Sequence, residues 1–371
     1  MKSKEKTKMK KNYLNKILTL GLTLAGAVFN QEAKAQVTVN IEGGSASSTV
    51  LFDRATNFFA GGSYSVYGTD KKNVLQFVGN TTIASVTGYN PVTLNINVAN
   101  GAINGLNALV NQHVYTGDTN YAGVGIIPTF VDSATTPEAV GIDSVAANLT
   151  EYPTYVVPLV YVRNTNFADV AAITNLTQRQ AVTLQTTTNK ASFYGSTGTN
   201  YVYFVGRNKS AAVRTEIDLT IFNTAKIKTF TNNAANLPVQ DTSSDPGYSS
   251  ASKVVSAVTV LTNSIGTVAV QNVTPPLAPI AYEGVAYSVS NVINGYYPIW
   301  GYEHYYFITA PNTGAPSTAQ QAVIDAFYNS VTNASFQNIN NPVFTNSFVP
   351  NPSMKVKRNN DGGPIIPLAT Y

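Results

Sequence analysis

The chain has 371 residues, 44% hydrophobic and only 11% charged, with two histidines and no cysteine. Its formal net charge of +4 is set by residues 1–35, which hold eight lysines against two glutamates; the remainder carries −2. That balance leaves no electrostatic footprint for nucleic acid, and the missing cysteine excludes a disulfide framework, a lipobox attachment point and a thiol nucleophile.

Six lysines fall between Lys2 and Lys11, and Lys16 precedes an apolar stretch from Ile17 to Phe29. Ala33-Lys34-Ala35 then supplies a small-x-small cleavage pattern before Gln36. The apolar stretch is short for a membrane span. Residues 1–35 are therefore expected to be a cleavable signal peptide. The product is expected to be periplasmic or secreted, without stable membrane insertion. The residues that follow exceed one comfortable hydrophobic core, so two lobes are expected.

Gln36 to Ile41 alternates with period two and reads as a first strand. Gly43 to Ser48 is a small-residue turn, and Phe52, Ala55, Phe58 and Phe59 mark a helix after it. Two short strands are expected at Ser63–Tyr67 and Val74–Val78, another at Pro91–Val98, and a helix starting within Asn100–Leu106. Gly141-Ile142-Asp143-Ser144-Val145 reads as a turn whose aspartate could cap a short helix. Tyr155–Val162 is the most apolar strand, and Thr174 is the expected N-cap of the next helix.

Tyr201–Val205 is a short β-prone run. Gly206, Arg207 and a small polar turn follow, and then helical spacing through Val213, Ile217 and Ile221. A strand feeding a helix in this way leaves backbone N–H groups free to meet an anion, with Arg207 beside them. An ordinary strand–helix junction with a solvated arginine is the other reading. Residues 232–252 read as loop, Ser252 precedes a helix, and Asn263–Val270 is a strand. An aromatic cluster spans Tyr296 to Tyr306, either stacking a sugar or packing beneath a lobe interface. Thr318–Val331 is a helix, and from Asn340 the chain reads as an extended tail.

Several of these segments, in order, resemble periplasmic phosphate-binding proteins, the solute-binding subunits of phosphate ABC transporters. Gly206-Arg207 with Arg214 seven positions later is similar to the family's Gly-Arg…Ser-Gly-Thr-Arg motif. Ala211-Ala212-Val213 stand where Ser-Gly-Thr would be; a one-residue slip places Ser210 at the serine. The Gly43–Ser48 turn resembles the family's first anion loop, with Ser45, Ser47 and Ser48 as its hydroxyls. Ala102 replaces a serine in the next such loop. Asp143, or Ser144, matches an acceptor for a protonated oxyanion. Asn263–Val270 resembles the return strand, and Asn294–Pro298 the Asn-Gly-x-Tyr-Pro turn.

The resemblance implies an α/β, two-lobe type II periplasmic-binding-protein fold with a central cleft. Residues 36–155 and 265–371 would form one lobe and 156–264 the other. It implies capture of phosphate, or another oxyanion or polar solute, at Ser45, Ser47, Ser48, Asp143, Arg207, Ser210 and Arg214, and an ABC transporter permease as partner. A surface or matrix protein that keeps this fold without its anion site is the alternative. No cofactor is expected. His113 and His304 have neither metal-ligand spacing nor a nucleophile motif, and no glycine turn ends in a P-loop Lys-Ser/Thr. The chain therefore reads as a binding protein with no catalytic or metal residues.

Overall fold

The structure, a computed structural model, describes residues 36–68, 73–115, 117–345 and 347–368. The expected signal peptide lies outside them. In chain order the elements are β1 (Val37–Gly43), α1 (Ser48–Phe58), β2 (Tyr64–Tyr67), β3 (Val74–Gly79), β4 (Val92–Asn97), α2 (Ala102–Asn111), β5 (Phe130–Ser133) and β6 (Leu149–Asn164). Next come α3 (Ala168–Ala171), β7 (Asn175–Leu176), α4 (Gln178–Thr186), β8 (Asn189–Lys190), β9 (Tyr201–Val205) and α5 (Ala212–Thr220). The chain continues through β10 (Phe230–Asn232), β11 (Pro238–Gln240), α6 (Ala251–Val260), β12 (Ser264–Ala269), β13 (Leu277–Tyr282) and α7 (Val289–Ile293). It closes with β14 (Trp300–Ile308), α8 (Thr318–Thr332), β15 (Val356–Lys357) and β16 (Ile366–Pro367).

One sheet runs in the order β2-β3-β4-β1-β5-β14-β6-β12-β9-β8, with β13 attached at β6 and β7 at β13. Its hinge is β6. The first part, Leu149 to Pro158, pairs with β14, and the rest, Leu159 to Arg163, pairs with β12. Tyr155 to Val162 are all buried, so this strand runs through both cores. In the first lobe α8 lies under the sheet, where Phe327 meets Phe58, Phe130 and Tyr305 at 6.1–6.3 Å between ring centres. A capping box at Ser317 and Gln320 starts α8, and Gln320 also donates to the Thr38 carbonyl at 2.9 Å. In the second lobe Val254 and Val258 of α6 cover β12 at Gly266, where a Cβ would lie 2.7 Å from Val258 and 3.0 Å from Val254.

The return to the first lobe comes later than expected. β12 pairs parallel to β9, and β13 pairs with the C-terminal part of β6, so both stay in the second lobe. The chain rejoins β5 only through β14. The boundary expected at 265 therefore moves to the Tyr297–Trp300 stretch. A strand following a helix looks the same in sequence whichever neighbour it pairs with. The C-terminal region also departs from an extended tail: Phe344, Phe348, Met354 and Val356 are buried, and Val349 bridges Val156. Its aromatic residues cover Tyr155, with ring centres 5.0 and 6.0 Å away.

Candidate functional site in the cleft

Three helix entries converge between the lobes. Gly44–Ala46 leads into α1, Gly101 caps α2, and Ala211 caps α5 without a side-chain hydrogen bond. Gly101 has φ +88°, and a Cβ there would lie 2.7 Å from the Ser210 carbonyl oxygen. Only glycine lets the two backbones approach this closely. Beside it Ala102, Ala134 and Ala212 form a small apolar contact across the cleft, and the Thr135 hydroxyl donates to the Ala212 carbonyl at 3.2 Å.

Arg207 enters from the end of β9 and is only 4% exposed. Its Nε donates to the Tyr248 carbonyl at 3.1 Å, Nη2 to the Ser249 carbonyl at 2.9 Å, and Nη1 to Ser45 Oγ at 3.3 Å. Burial pushes its pKa down to about 10, so the guanidinium stays charged at neutral pH. Three of the five guanidinium N–H groups are thus already committed within the protein.

Glu303 borders the same cavity. It sits where the β14–β6 register shifts between Tyr302 and His304, and such a bulge re-aims a side chain. Desolvation, and then the neighbouring Asp132, hold the Glu303 carboxyl well above its usual range. Asp132 is itself raised to about 7, chiefly by burial. Each carboxyl lies within the other's field, so the two titrate as a pair. The space left among Ser45, Ala102, Arg207, Ala212 and Glu303 is about 10 Å³, close to the minimum for one water molecule.

The sequence-predicted residues divide here. Ser45 and Arg207 meet directly. Ser210 reaches the interface through its carbonyl, opposite Gly101. Ser47 is fully buried, and its hydroxyl donates to the Gly44 carbonyl at 3.0 Å and faces Asp132. The Ser48 hydroxyl donates to the Ser45 carbonyl at 3.1 Å. Both serines tie the loop to itself. Arg214 braces the Arg207 and Pro246 carbonyls at 3.3 and 3.1 Å and pairs with Asp218 at 3.5 Å. Asp143 is exposed and accepts from the Ala146 N–H at 2.9 Å, capping a turn beside Asn111 and Asn312, away from the Arg207 cavity. Tyr248 and Ser249, which hold Arg207, lie in the stretch that reads as plain loop. Only an aromatic amid polar residues marked them.

Among the described residues no group of three metal-ligating side chains is assembled, and no helix is long and apolar enough to cross a membrane.

No protein-family pattern and no curated protein matches the chain in sequence. Solved structures do match in fold. A protein from Clostridium perfringens, described as a phosphate ABC transporter substrate-binding protein and solved with bound phosphate, superposes with a TM-score of 0.56. It is 14% identical, over 84% of this chain and 99% of that one. An ABC-type phosphate transport receptor from Vibrio cholerae gives 0.51 at 12% identity, again over 84% and 99%. The architecture is the two-lobe type II periplasmic-binding-protein fold.

Proposed function

We propose that this chain is an exported solute-binding protein whose cleft closes on a small polar solute carrying at most one negative charge. The observation that carries the reading is Arg207, a buried cation at the meeting of both lobes with two N–H groups uncommitted. Helix N-termini on three sides add partial positive charge. Phosphate needs more. Its oxygens must all be satisfied once water is excluded, and Ala102, Ala211, Ala212 and Val213 bring no hydroxyls. Two missing charge-assisted bonds, at roughly 1.5–3 kcal/mol each, weaken binding about a hundredfold or more.

Calorimetric titration of mature protein, stripped by unfolding and refolding, tests this. Phosphate is expected to bind in or above the micromolar range, and acetate or formate at least as well. Nanomolar phosphate binding would overturn the reading.

A second reading, a surface or matrix protein that keeps the fold without transport, draws support from the alanine contact and from Glu303. The bulge brings the protein's own carboxyl to the cavity where a ligand's charge would sit. Small-angle scattering separates the two: a receptor opens when stripped and closes on acetate, whereas a structural protein keeps one radius throughout.

A further inference from the structure

A larger cavity, of about 530 Å³, lies on the flank of β14, between the turn after β5, α5 and the C-terminal segment. None of the residues lining the Arg207 cavity lines it. Glu216, from α5, is fully buried at its wall, and neither of its carboxyl oxygens accepts a hydrogen bond. The fold makes room for this carboxyl: a Cβ at Gly301 would lie 2.9 Å from Glu216 Cδ. Asp361 is its neighbour, anchored by the Thr136 N–H and hydroxyl at 2.6 and 2.9 Å.

The basic side chains nearby are engaged only in part: Lys357 lines the cavity, and the buried Arg358 Nε has no hydrogen-bond partner. Arg358 lies over the Trp300 ring at 4.4 Å and donates to Thr220 Oγ1 at 3.2 Å and to the Trp300 carbonyl at 3.1 Å. His304 Nδ1 sits 2.6 Å from Glu151. Both buried Glu216 oxygens thus stand without a hydrogen bond, against two unpartnered buried donors, Arg358 Nε and the Trp300 indole N–H, and the partly buried ring of Tyr302 lies beside them. A buried acceptor pair of this kind is satisfied either by a proton or by a ligand bringing N–H donors and positive charge. The aromatic wall favours the charged ligand. Asn359 and Asn360 at the rim can serve hydroxyl groups.

We propose that this flank cavity binds a small polyhydroxylated ammonium compound, of amino-sugar size, through the carboxyls of Glu216 and Asp361. The volume falls in the range of small-ligand sites. Burial and the Asp361 carboxyl both push the Glu216 proton affinity up, so the bound ammonium displaces a proton to solvent. Glu138, Glu151, His304, Lys357 and Arg358 also face the cavity and modulate the pH dependence. The inference uses no feature of the cleft, so it stands or falls apart from the solute reading above.

The test is calorimetry on mature protein with glucosamine, and glucose as the uncharged control. Glucosamine is expected to bind saturably and glucose not, and repeating the titration in buffers of different ionisation enthalpy is expected to reveal proton release. Glu216→Gln should weaken glucosamine binding by roughly tenfold or more while the circular-dichroism melt shows an intact fold. If that variant fails to fold, the glucose control and the proton release on unmodified protein still decide. Equal binding of glucose and glucosamine, no saturable glucosamine binding at millimolar concentration, or Glu216→Gln binding within twofold of the unmodified protein would each overturn the proposal.

Discussion

On one side of β14 the cleft gathers a buried cation, three helix N-termini and a shell of alanines, and leaves about 10 Å³. On the other, the flank cavity gathers the buried Glu216 carboxyl, the half-buried Asp361 and a tyrosine ring around about 530 Å³. Attraction for an anion and room for a ligand have come apart. Arg207 tolerates burial because two backbone carbonyls and a serine satisfy it. Glu216 has no such donors, and its burial is tolerated by keeping a proton. A polar group answered in part from inside the protein, as Arg207 is, keeps its remaining N–H groups for a solute. One left unanswered beside open space is where a ligand gains most.

The two regions share one fastening, and removing it should have the largest effect. Arg358 ties the Pro298 and Trp300 carbonyls to Thr220 of α5, so it joins the crossing stretch to the second lobe. Asp361, three residues on, fastens the same segment to Thr136 in the first lobe. Arg358→Ala removes three charge-assisted bonds and the contact with Trp300. It is expected to cost about 2–4 kcal/mol in urea denaturation, after allowing for the desolvation that Arg358 no longer incurs. Scattering should show a larger radius. A stable, compact variant would mean that the cleft is held by its alanines alone, with no help from the flank.

How far the sequence reaches differs between these regions too. Strand β9 and the turn at Arg207 are legible because a β-prone run, a Gly-Arg and a helical period follow one another within twenty residues. Ser45 is legible as a hydroxyl in a glycine turn before a helix. Helix starts slip by a few residues: Thr177 with Gln180 caps α4 where Thr174 reads equally well, and Ser250 caps α6 in place of Ser252. Several hydroxyls stand in a row at each site, and only geometry chooses among them. Asp143 is indistinguishable in sequence from a ligand acceptor, because turn caps and oxyanion acceptors use the same residue. The flank is illegible. Glu216 lies on a helix, Gly301 on a strand and Asp361 near the C-terminus, and no local pattern announces that they meet.

The carboxyl pair on the cleft side gives an intermediate effect. Folded Asp132 keeps its proton to about pH 7, whereas the unfolded residue loses it near the ordinary aspartate value of 3.8. The folded state binds more protons across that window, so stability is fullest below about pH 4 and falls as pH rises toward 7. Tyr155, Tyr305 and Ser47 face the pair, and its other member, Glu303, shifts in the same direction. Melting scans are expected to lose a few degrees between pH 4 and 7, and Asp132→Asn should flatten the slope. An unchanged slope would move its origin to Glu216 and the flank.

The smallest effect sharpens the comparison most. Ala211 occupies the N-cap of α5 with φ −97° and ψ 117°, extended values that suit a capping serine, yet it brings no oxygen. In Ala211→Ser the new hydroxyl has two uses. It can turn inward and accept from the Arg214 N–H, as capping serines do, or point at the cavity beside Arg207 and serve a bound anion. With about 10 Å³ to work in, the inward choice wins. The variant is then expected to be more stable by about 1 kcal/mol, read as a shift in the urea midpoint, with phosphate affinity unchanged. Adding Val213→Thr buries a second hydroxyl at a position only 4% exposed and should erase that gain without improving binding. If phosphate affinity instead rises tenfold in the double variant, the cleft opens wider in solution than its alanine contact implies. The missing hydroxyls, and not the missing space, would then be what keeps phosphate out.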